Sequence, residues 1–258
     1  MDSDISPASI LQNLTTTFIG RHILYHHTVP STMEIARDAA GRGAHEGTIA
    51  LAEEQTAGRG RLGRSWLSPQ GGISLSIILR PNIKQLPQLI MVASLAASHS
   101  IEKTCGIKAD IKWPNDILIR DRKVCGILVE SAIRGQTVDW AIIGIGLNVN
   151  LNTTDFPDIA AIATSLSTEL GRNVSRLDII RSLLSEIELL YLASRQGEPI
   201  HKEWRSRLET LGKKVRIDYR GLIEEGQAEE VDDDGSLLLR RSDGSLATIT
   251  AGEVTILK

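Results

Sequence analysis

The alternation of apolar and polar positions is clearest from Ile73, where Ile73, Leu75, Ile77 and Leu79 interleave with Ser74, Ser76, Ile78 and Arg80. Period two with β-branched residues predicts a strand with one buried face. Residues 22–29 read as an earlier strand, which Pro30 breaks. Ser31-Thr32-Met33-Glu34 then opens a helix to about Gly41, and the Ser31/Glu34 spacing is that of a capping box. Residues 48–55 form an apolar strand ending in Glu53-Glu54-Gln55. Residues 86–105 are rich in Ala and Leu with no internal Gly, which predicts a long core helix.

Residues 107–113 lead into the turn Pro114-Asn115-Asp116. Strands are expected at 117–120 and 124–133, joined by the charged turn Asp121-Arg122-Lys123. After Arg134-Gly135-Gln136 comes a strand over 138–150, whose Gly144 and Gly146 signal a bulge or a close approach to the backbone. Residues 159–209 read as helical, with Leu177, Ile180, Leu183, Leu184, Ile187 and Leu190 at three-four spacing. From Lys213 the pattern changes to short strands with turns at Asp232-Asp233-Asp234-Gly235 and Ser242-Asp243-Gly244, as in a small β-barrel. So small a unit should pack on the main body. The first 20 residues hold one short amphipathic segment around Ile10, Leu11 and Leu14, too little for a helix-turn-helix module.

Composition narrows the function. A chain of 258 residues with 41% hydrophobic residues and a net charge of −3 suits a globular protein without a general nucleic-acid-binding face. No apolar stretch reaches membrane-spanning length and no leader pattern precedes the first strand, so a cytoplasmic protein with no membrane partner is expected. Cys105 and Cys125 lack CxxC spacing and read as buried free thiols. His26 and His27 read as strand residues, Trp113 and Trp140 as core, and the acidic residues between Glu224 and Asp234 as a solvated face.

The informative chemistry sits in Gly58-Arg59-Gly60-Arg61-Leu62-Gly63-Arg64-Ser65-Trp66. Glycine lets a backbone approach a ligand closely, and arginine offers a planar fork of donors to carboxylate or phosphate. Alone, such a segment is a flexible loop; between two apolar runs it points to an anion-binding loop. No Gly-Lys-Ser/Thr closes a Walker A pattern, and no Rossmann fingerprint follows.

Five segments together resemble the biotin–protein ligase family: Ser31-Thr32, Gln55, the Gly58 to Trp66 loop, Lys112-Trp113-Pro114-Asn115-Asp116, and Lys123 with Gly126-Ile127-Leu128-Val129-Glu130. Gly144-Ile145-Gly146-Leu147-Asn148 extends the match. The resemblance implies an α+β fold: a mixed β-sheet flanked by helices, like the catalytic domain of class II aminoacyl-tRNA synthetases, over residues 1–211, and an SH3-like barrel over 212–258. It implies an ATP-dependent enzyme that makes biotinyl-5′-adenylate and passes biotin to a lysine of a biotin carboxyl carrier domain. With about 20 residues ahead of the first strand, the chain resembles the short form without a DNA-binding domain. Family members can form homodimers through sheet edges.

The same resemblance distributes roles. Ser31, Thr32 and Gln55 match the ureido ring of biotin, with Met33, Arg59 and Gly60 beside them. Arg61 and Lys123 converge on the biotin carboxylate and the ATP α-phosphate, and both count as catalytic. Arg64 and Trp66 cover the adenylate, Asn115 orients its turn, Asn148 pairs with adenine, and Asp116 holds Mg²⁺ against the phosphates. Read without the family, Lys123 is an exposed hairpin lysine, Asp116 caps a turn and Asn148 ends a strand. Met33 stands where the family often has Asn, and the chain ends Ile256-Leu257-Lys258 where some members carry a basic residue near the phosphates. A lipoate–protein ligase and a non-catalytic biotin-binding regulator are the alternatives.

Overall fold

The computed structural model describes residues 5–257; Lys258 lies outside them. Seven strands form one mixed sheet in the order β1-β2-β3-β7-β6-β5-β4. These are β1 (Ile23–Val29), β2 (Ile49–Gln55), β3 (Ile73–Leu79), β4 (Asp110–Lys112), β5 (Asp116–Ile119), β6 (Arg122–Arg134) and β7 (Thr137–Leu147). Only the β1–β2 pair is parallel, since the crossover helix α2 (Thr32–Gly41) connects them. The remaining neighbours run antiparallel.

The sheet is covered on both faces. On one face, α2 lays Met33, Ala36 and Ala40 against Ala50, Ile78 and Ile142. The other face joins the larger core, which includes Ile73, Leu75 and Ile77 from β3 with residues of helices α3 (Leu89–Cys105) and α5 (Arg176–Arg195). Strand β3 therefore has no solvated face: Ser74 and Ser76 are buried on the α2 side. The alternating pattern expected one wet face, but those small hydroxyls leave room for the helix, and Ser76 Oγ donates to Thr32 Oγ1 at 2.8 Å.

Several expected boundaries move. The β5–β6 turn is Arg120-Asp121, both at positive φ (50° and 63°), as a tight hairpin requires. Arg122 and Lys123 thus belong to β6 rather than to the turn. The helical region begins at α4 (Leu166–Leu170), not at residue 159. Residues just before α4 run beside β6 instead: Lys123 N–H donates to Ile162 O and Thr164 N–H to Lys123 O, both at 2.9 Å. Gly171 and the Gly197–Pro199 stretch then split off α5 and α6 (Ile200–Ser206). Helix α1 (Pro7–Gln12) is the short amphipathic segment expected near the N-terminus.

Residues 214–256 form a second, all-antiparallel sheet of β8 (Lys214–Tyr219), β9 (Leu222–Val231), β10 (Leu237–Arg240), β11 (Leu246–Ile249) and β12 (Glu253–Ile256). Its apolar side merges with the main core, and Trp113 Nε1–H donates to Gly235 O at 2.8 Å. Of the acidic residues of β9, Glu225 and Glu229 are exposed as expected while Glu224 and Glu230 are half-buried, and three carry arginine partners: Glu224 with Arg241, Glu229 with Arg240, and Glu230 with Arg205.

Candidate active site

Four elements meet over the middle of the sheet on its α2 side. Their contributions line one pocket of about 460 Å³ that opens to solvent. The N-terminus of α2 supplies Ser31, Thr32 and Met33, and the end of β2 supplies Gln55. The Gly-Arg loop supplies Arg59, Gly60, Arg61 and Trp66; the sheet, with its β4–β5 turn, supplies Asn115, Lys123, Gly126–Leu128 and Gly144–Gly146.

One end of the pocket is a hydrogen-bonded polar group. Gln55 Oε1 accepts from Thr32 N–H at 2.8 Å and from Thr32 Oγ1 at 3.1 Å, and Gln55 Nε2 donates to Ser68 Oγ at 2.7 Å. With Ser76 completing the chain, the amide and hydroxyl orientations are fixed in advance. Ser31 is the exception. Its side chain is fully buried, yet its Oγ has no hydrogen-bond partner among the described residues. The expected capping box is absent, because Ser31 makes no side-chain bond to the helix and only its backbone carbonyl accepts from Glu34 and Ile35 N–H. An orphaned buried hydroxyl costs about 1–3 kcal/mol, and its position in a pocket wall makes it a waiting contact.

The same pocket is also lined by cations. Arg61 Nη1 donates to Asn115 Oδ1 at 2.8 Å, while Asn115 Nδ2 donates to Ile127 O at 2.8 Å, so the turn residue aims the arginine. Burial lowers the Arg61 pKa, against the opposing pull of Asp116 and Glu253; a guanidinium remains charged even so. Lys123 Nζ lies 2.7 Å from Asp116 Oδ1 and 5.2 Å from the centre of the Trp66 ring.

The loop itself folds back as a narrow hairpin. Gln55 N–H donates to Ser68 O, Trp66 N–H to Gly58 O and Gly60 N–H to Arg64 O. Leu62 (φ 53°) and Gly63 (φ 77°) make its reversal. Trp66 lies flat over the two glycines of the sheet: a Cβ on Gly146 would come within 2.3 Å of Trp66 Nε1, and one on Gly126 within 2.9 Å of the same ring. At Gly144 a Cβ would meet Met33 Sδ at 2.6 Å. The glycines in β7 therefore mark close approaches by side chains, with unbroken pairing to β3 and β6.

The sequence model of the biotin/lipoate A/B protein ligase family matches residues 25–148, and that of the biotin protein ligase C-terminal domain matches residues 210–257. The bifunctional ligase/repressor BirA of Bacillus subtilis is 40% identical over 246 residues, covering 93% of this chain and 76% of that protein. This chain belongs to the biotin/lipoate A/B protein ligase family. Paracoccus denitrificans biotin–[acetyl-CoA-carboxylase] ligase is 36% identical over 79% of this chain and 88% of its own length. The biotin protein ligase of Aquifex aeolicus, solved with biotin and ATP, superposes with a TM-score of 0.80 at 29% identity, covering 92% of this chain and 99% of that one. The class of fold expected of a biotin protein ligase, a mixed sheet with flanking helices and a small antiparallel β-domain, is thus the one observed.

Of the residues expected at a biotin protein ligase site, Ser31, Thr32, Met33, Gln55, Arg59, Gly60, Arg61, Trp66, Asn115 and Lys123 line this pocket. Three do not. Arg64 is turned outward to an ion pair with Glu253 on β12. Asp116 stands behind Lys123 as its counter-ion. Asn148 is buried, and its Nδ2 donates to Thr164 O at 3.1 Å. Among the described residues no group of three or more His, Cys, Asp or Glu could hold a metal ion. One carboxylate paired to a lysine suits only a Mg²⁺ that arrives on nucleotide phosphates and keeps most of its water. Sequence reasoning missed Glu130, which forms ion pairs with both Arg37 and Arg59. Its signal was its place at the end of the Gly126 to Glu130 motif.

Proposed function

We propose that this chain is a biotin–protein ligase: it joins biotin to ATP, releasing pyrophosphate, and passes the biotinyl group from biotinyl-5′-AMP to one lysine of a biotin carboxyl carrier domain. One observation carries the reading. A pre-oriented amide–hydroxyl group with one unpaired hydroxyl, Ser31, lines the same pocket as Arg61 and Lys123. Biotin carries the matching pair of groups, a ureido ring and a carboxylate.

In this reading Ser31, Thr32 and Gln55 bind the ureido group, and Met33 on Gly144 forms the apolar wall. Arg61 and Lys123 meet the biotin carboxylate and the α-phosphate, two anions that must come together. Fixed cations offset that repulsion and stabilise the charge that builds on phosphorus. The carboxylate oxygen bonds to the α-phosphorus as pyrophosphate departs. The lysine amine of the acceptor then attacks the acyl carbon and AMP leaves. No enzyme nucleophile is needed, so the residues act by positioning and charge. Trp66 and Arg64 form the outer cover of the adenylate, Asn115 holds Arg61, and Asp116 supplies one oxygen to nucleotide-borne Mg²⁺.

The proposed division of the chain is a catalytic unit over 1–211 and an SH3-like unit over 212–258; the start of the second sheet at Lys214 supports it. A cytoplasmic setting completes the reading; among the described residues no helix is long and apolar enough to cross a membrane. Light scattering with and without biotin and ATP tests homodimerisation.

A lipoate ligase shares the adenylate chemistry, but lipoate has no ureido group and would leave Ser31 Oγ unpaired. Mass spectrometry decides between them: the protein is incubated with Mg-ATP and either biotin or lipoate, and carrier domain is added second. Biotinyl-AMP that disappears as the carrier gains one biotinyl mass is the expected result. The lipoyl equivalent would move the activity to lipoate, and bound biotin without adenylate in either arm would leave a binding protein.

A further inference from the structure

Outside the groups already given a role, Glu130 ties together three elements that line the pocket. Alternate residues of a strand share a face, so Glu130 continues the row of Gly126 and Leu128, which line the pocket. Its Oε2 accepts from Arg37 Nη2 at 2.5 Å, and its Oε1 lies 3.1 Å from Arg59 Nη2. Arg37 stands one helical turn beyond Met33 on α2, and Arg59 is the first arginine of the Gly-Arg loop. One carboxylate thus bridges the helix that carries Ser31, Thr32 and Met33, the strand that carries Gly126 and Leu128, and the loop that carries Arg61 and Trp66. All three charged groups are partly buried, with side-chain exposures of 25% for Glu130, 37% for Arg37 and 40% for Arg59.

We propose that Glu130 is a positioning residue that holds the Gly-Arg loop closed over the pocket by drawing the Arg59 guanidinium onto α2 and β6. The consequence for the pocket is a division of labour among the arginines. Arg59 is committed to Glu130, so it faces the ligand through its backbone and that of Gly60, and Arg61 is the loop arginine left to meet an anion. Without the carboxylate, Arg37 and Arg59 would face each other as like charges and the loop would lose its attachment to α2. Arg61–Asn115 and the Trp66 stack would remain, so the loop would open more often without unfolding.

The catalytic readouts rest on the ligase reading; a second readout does not. For Glu130→Ala and Arg59→Ala, the dissociation rate of biotinyl-adenylate should rise roughly fivefold each, the range of a partly exposed charge pair. The double variant should be no faster than either single one, since both remove the same link. KM for biotin should rise more than kcat falls, and Glu130→Gln should lie between wild type and Glu130→Ala. Independently of any reaction, amide exchange of Gly60 and Trp66, whose N–H groups are bonded within the hairpin, should quicken in Glu130→Ala without ligand. Additive effects in the double variant would overturn the proposal. So would loop exchange and adenylate release at wild-type rates beside a lowered unfolding midpoint, which would make Glu130 merely structural. A wild-type protein that forms no adenylate would sink the ligase reading alone, and the exchange measurement would still decide on Glu130.

Discussion

Replacing Ser31 by alanine should raise stability and lower affinity in the same variant. At most helix N-termini a Ser→Ala change costs about 1 kcal/mol, because the hydroxyl satisfies a backbone N–H. Ser31 occupies the cap position of α2 at φ −157° and ψ 134°, but its side chain makes no such bond. Its Oγ is buried without a partner among the described residues. The variant therefore removes a desolvated hydroxyl and nothing that it was bonded to, and ligand-free protein should gain about 1 kcal/mol from the low end of the 1–3 kcal/mol penalty. Binding should go the other way. One hydrogen bond to the ligand is worth about 1.4 kcal/mol at the upper end of the net range, which is roughly tenfold in Kd. With biotin at 100 times the wild-type Kd, ligand stabilises wild type by about 2.7 kcal/mol, whereas the variant sits at ten times its own Kd and gains only about 1.4 kcal/mol. Urea unfolding with and without biotin, with calorimetric titration beside it, reads both numbers. An apo variant destabilised by about 1 kcal/mol with biotin affinity unchanged would show that Ser31 is a helix cap after all, and the reasoning from the orphaned hydroxyl would be wrong.

Gly146→Ala should displace the Trp66 ring, because its Cβ would lie 2.3 Å from Nε1; overpacking of this kind costs about 1–3 kcal/mol. Adenylate retention should fall more than biotin binding, and a variant with wild-type retention would remove Trp66 from the cover. Arg61→Ala should weaken retention of the adenylate at least tenfold with an unchanged unfolding midpoint, since one half-buried cation that faces the reacting anions is lost; full activity together with Lys123→Ala would remove both from the site. Acid should loosen the N-terminal segment through Glu188, whose carboxylate accepts from Thr17, Phe18 and Ile19 N–H. Burial opposes its charge, but those bonds outweigh it and lower its pKa below the ordinary 4.5. A depressed folded pKa contributes stability above 4.5 that is lost as pH falls through the folded value. Glu188→Gln should therefore be less stable at pH 7 and flatter in acid; parallel pH profiles would contradict this.

Elements set by local pattern were legible in the sequence. Strands β1, β2, β3, β6 and β7 and helices α2 and α3 stand where periodicity puts them, within a few residues. What pattern could not show was which polar atoms find partners. Ser31 and Glu34 have the spacing of a capping box, but the pocket takes the hydroxyl out of the helix's reach. Lys123 read as a turn residue because charge clusters at Asp121-Arg122-Lys123. The positive φ of Arg120 and Asp121 shortens that hairpin and seats Lys123 in the strand, where it faces Asp116 and Trp66. Residues 159–165 have helical composition, yet only local turn bonds form as far as Ala163, and Ile162 O and Thr164 N–H are taken by Lys123.

The Gly-Arg loop shows the same limit more sharply. By composition it is a solvated, flexible segment, with glycines that order nothing and arginines that prefer water. In the fold each arginine has a different distant partner: Arg59 has Glu130 on β6, Arg61 has Asn115 before β5, and Arg64 has Glu253 on β12. None of these pairings is visible within a local window. Their energetics also fit the proposed task. A partly exposed ion pair is worth about 0–1 kcal/mol, so two such pairs, one arginine–amide hydrogen bond and one packed indole can close the loop without locking it. An opening free energy of that size lets substrate enter and product leave. An anion at Arg61 and Lys123 then adds the contact that makes the closed form the favoured one, because only the closed form brings both cations to it.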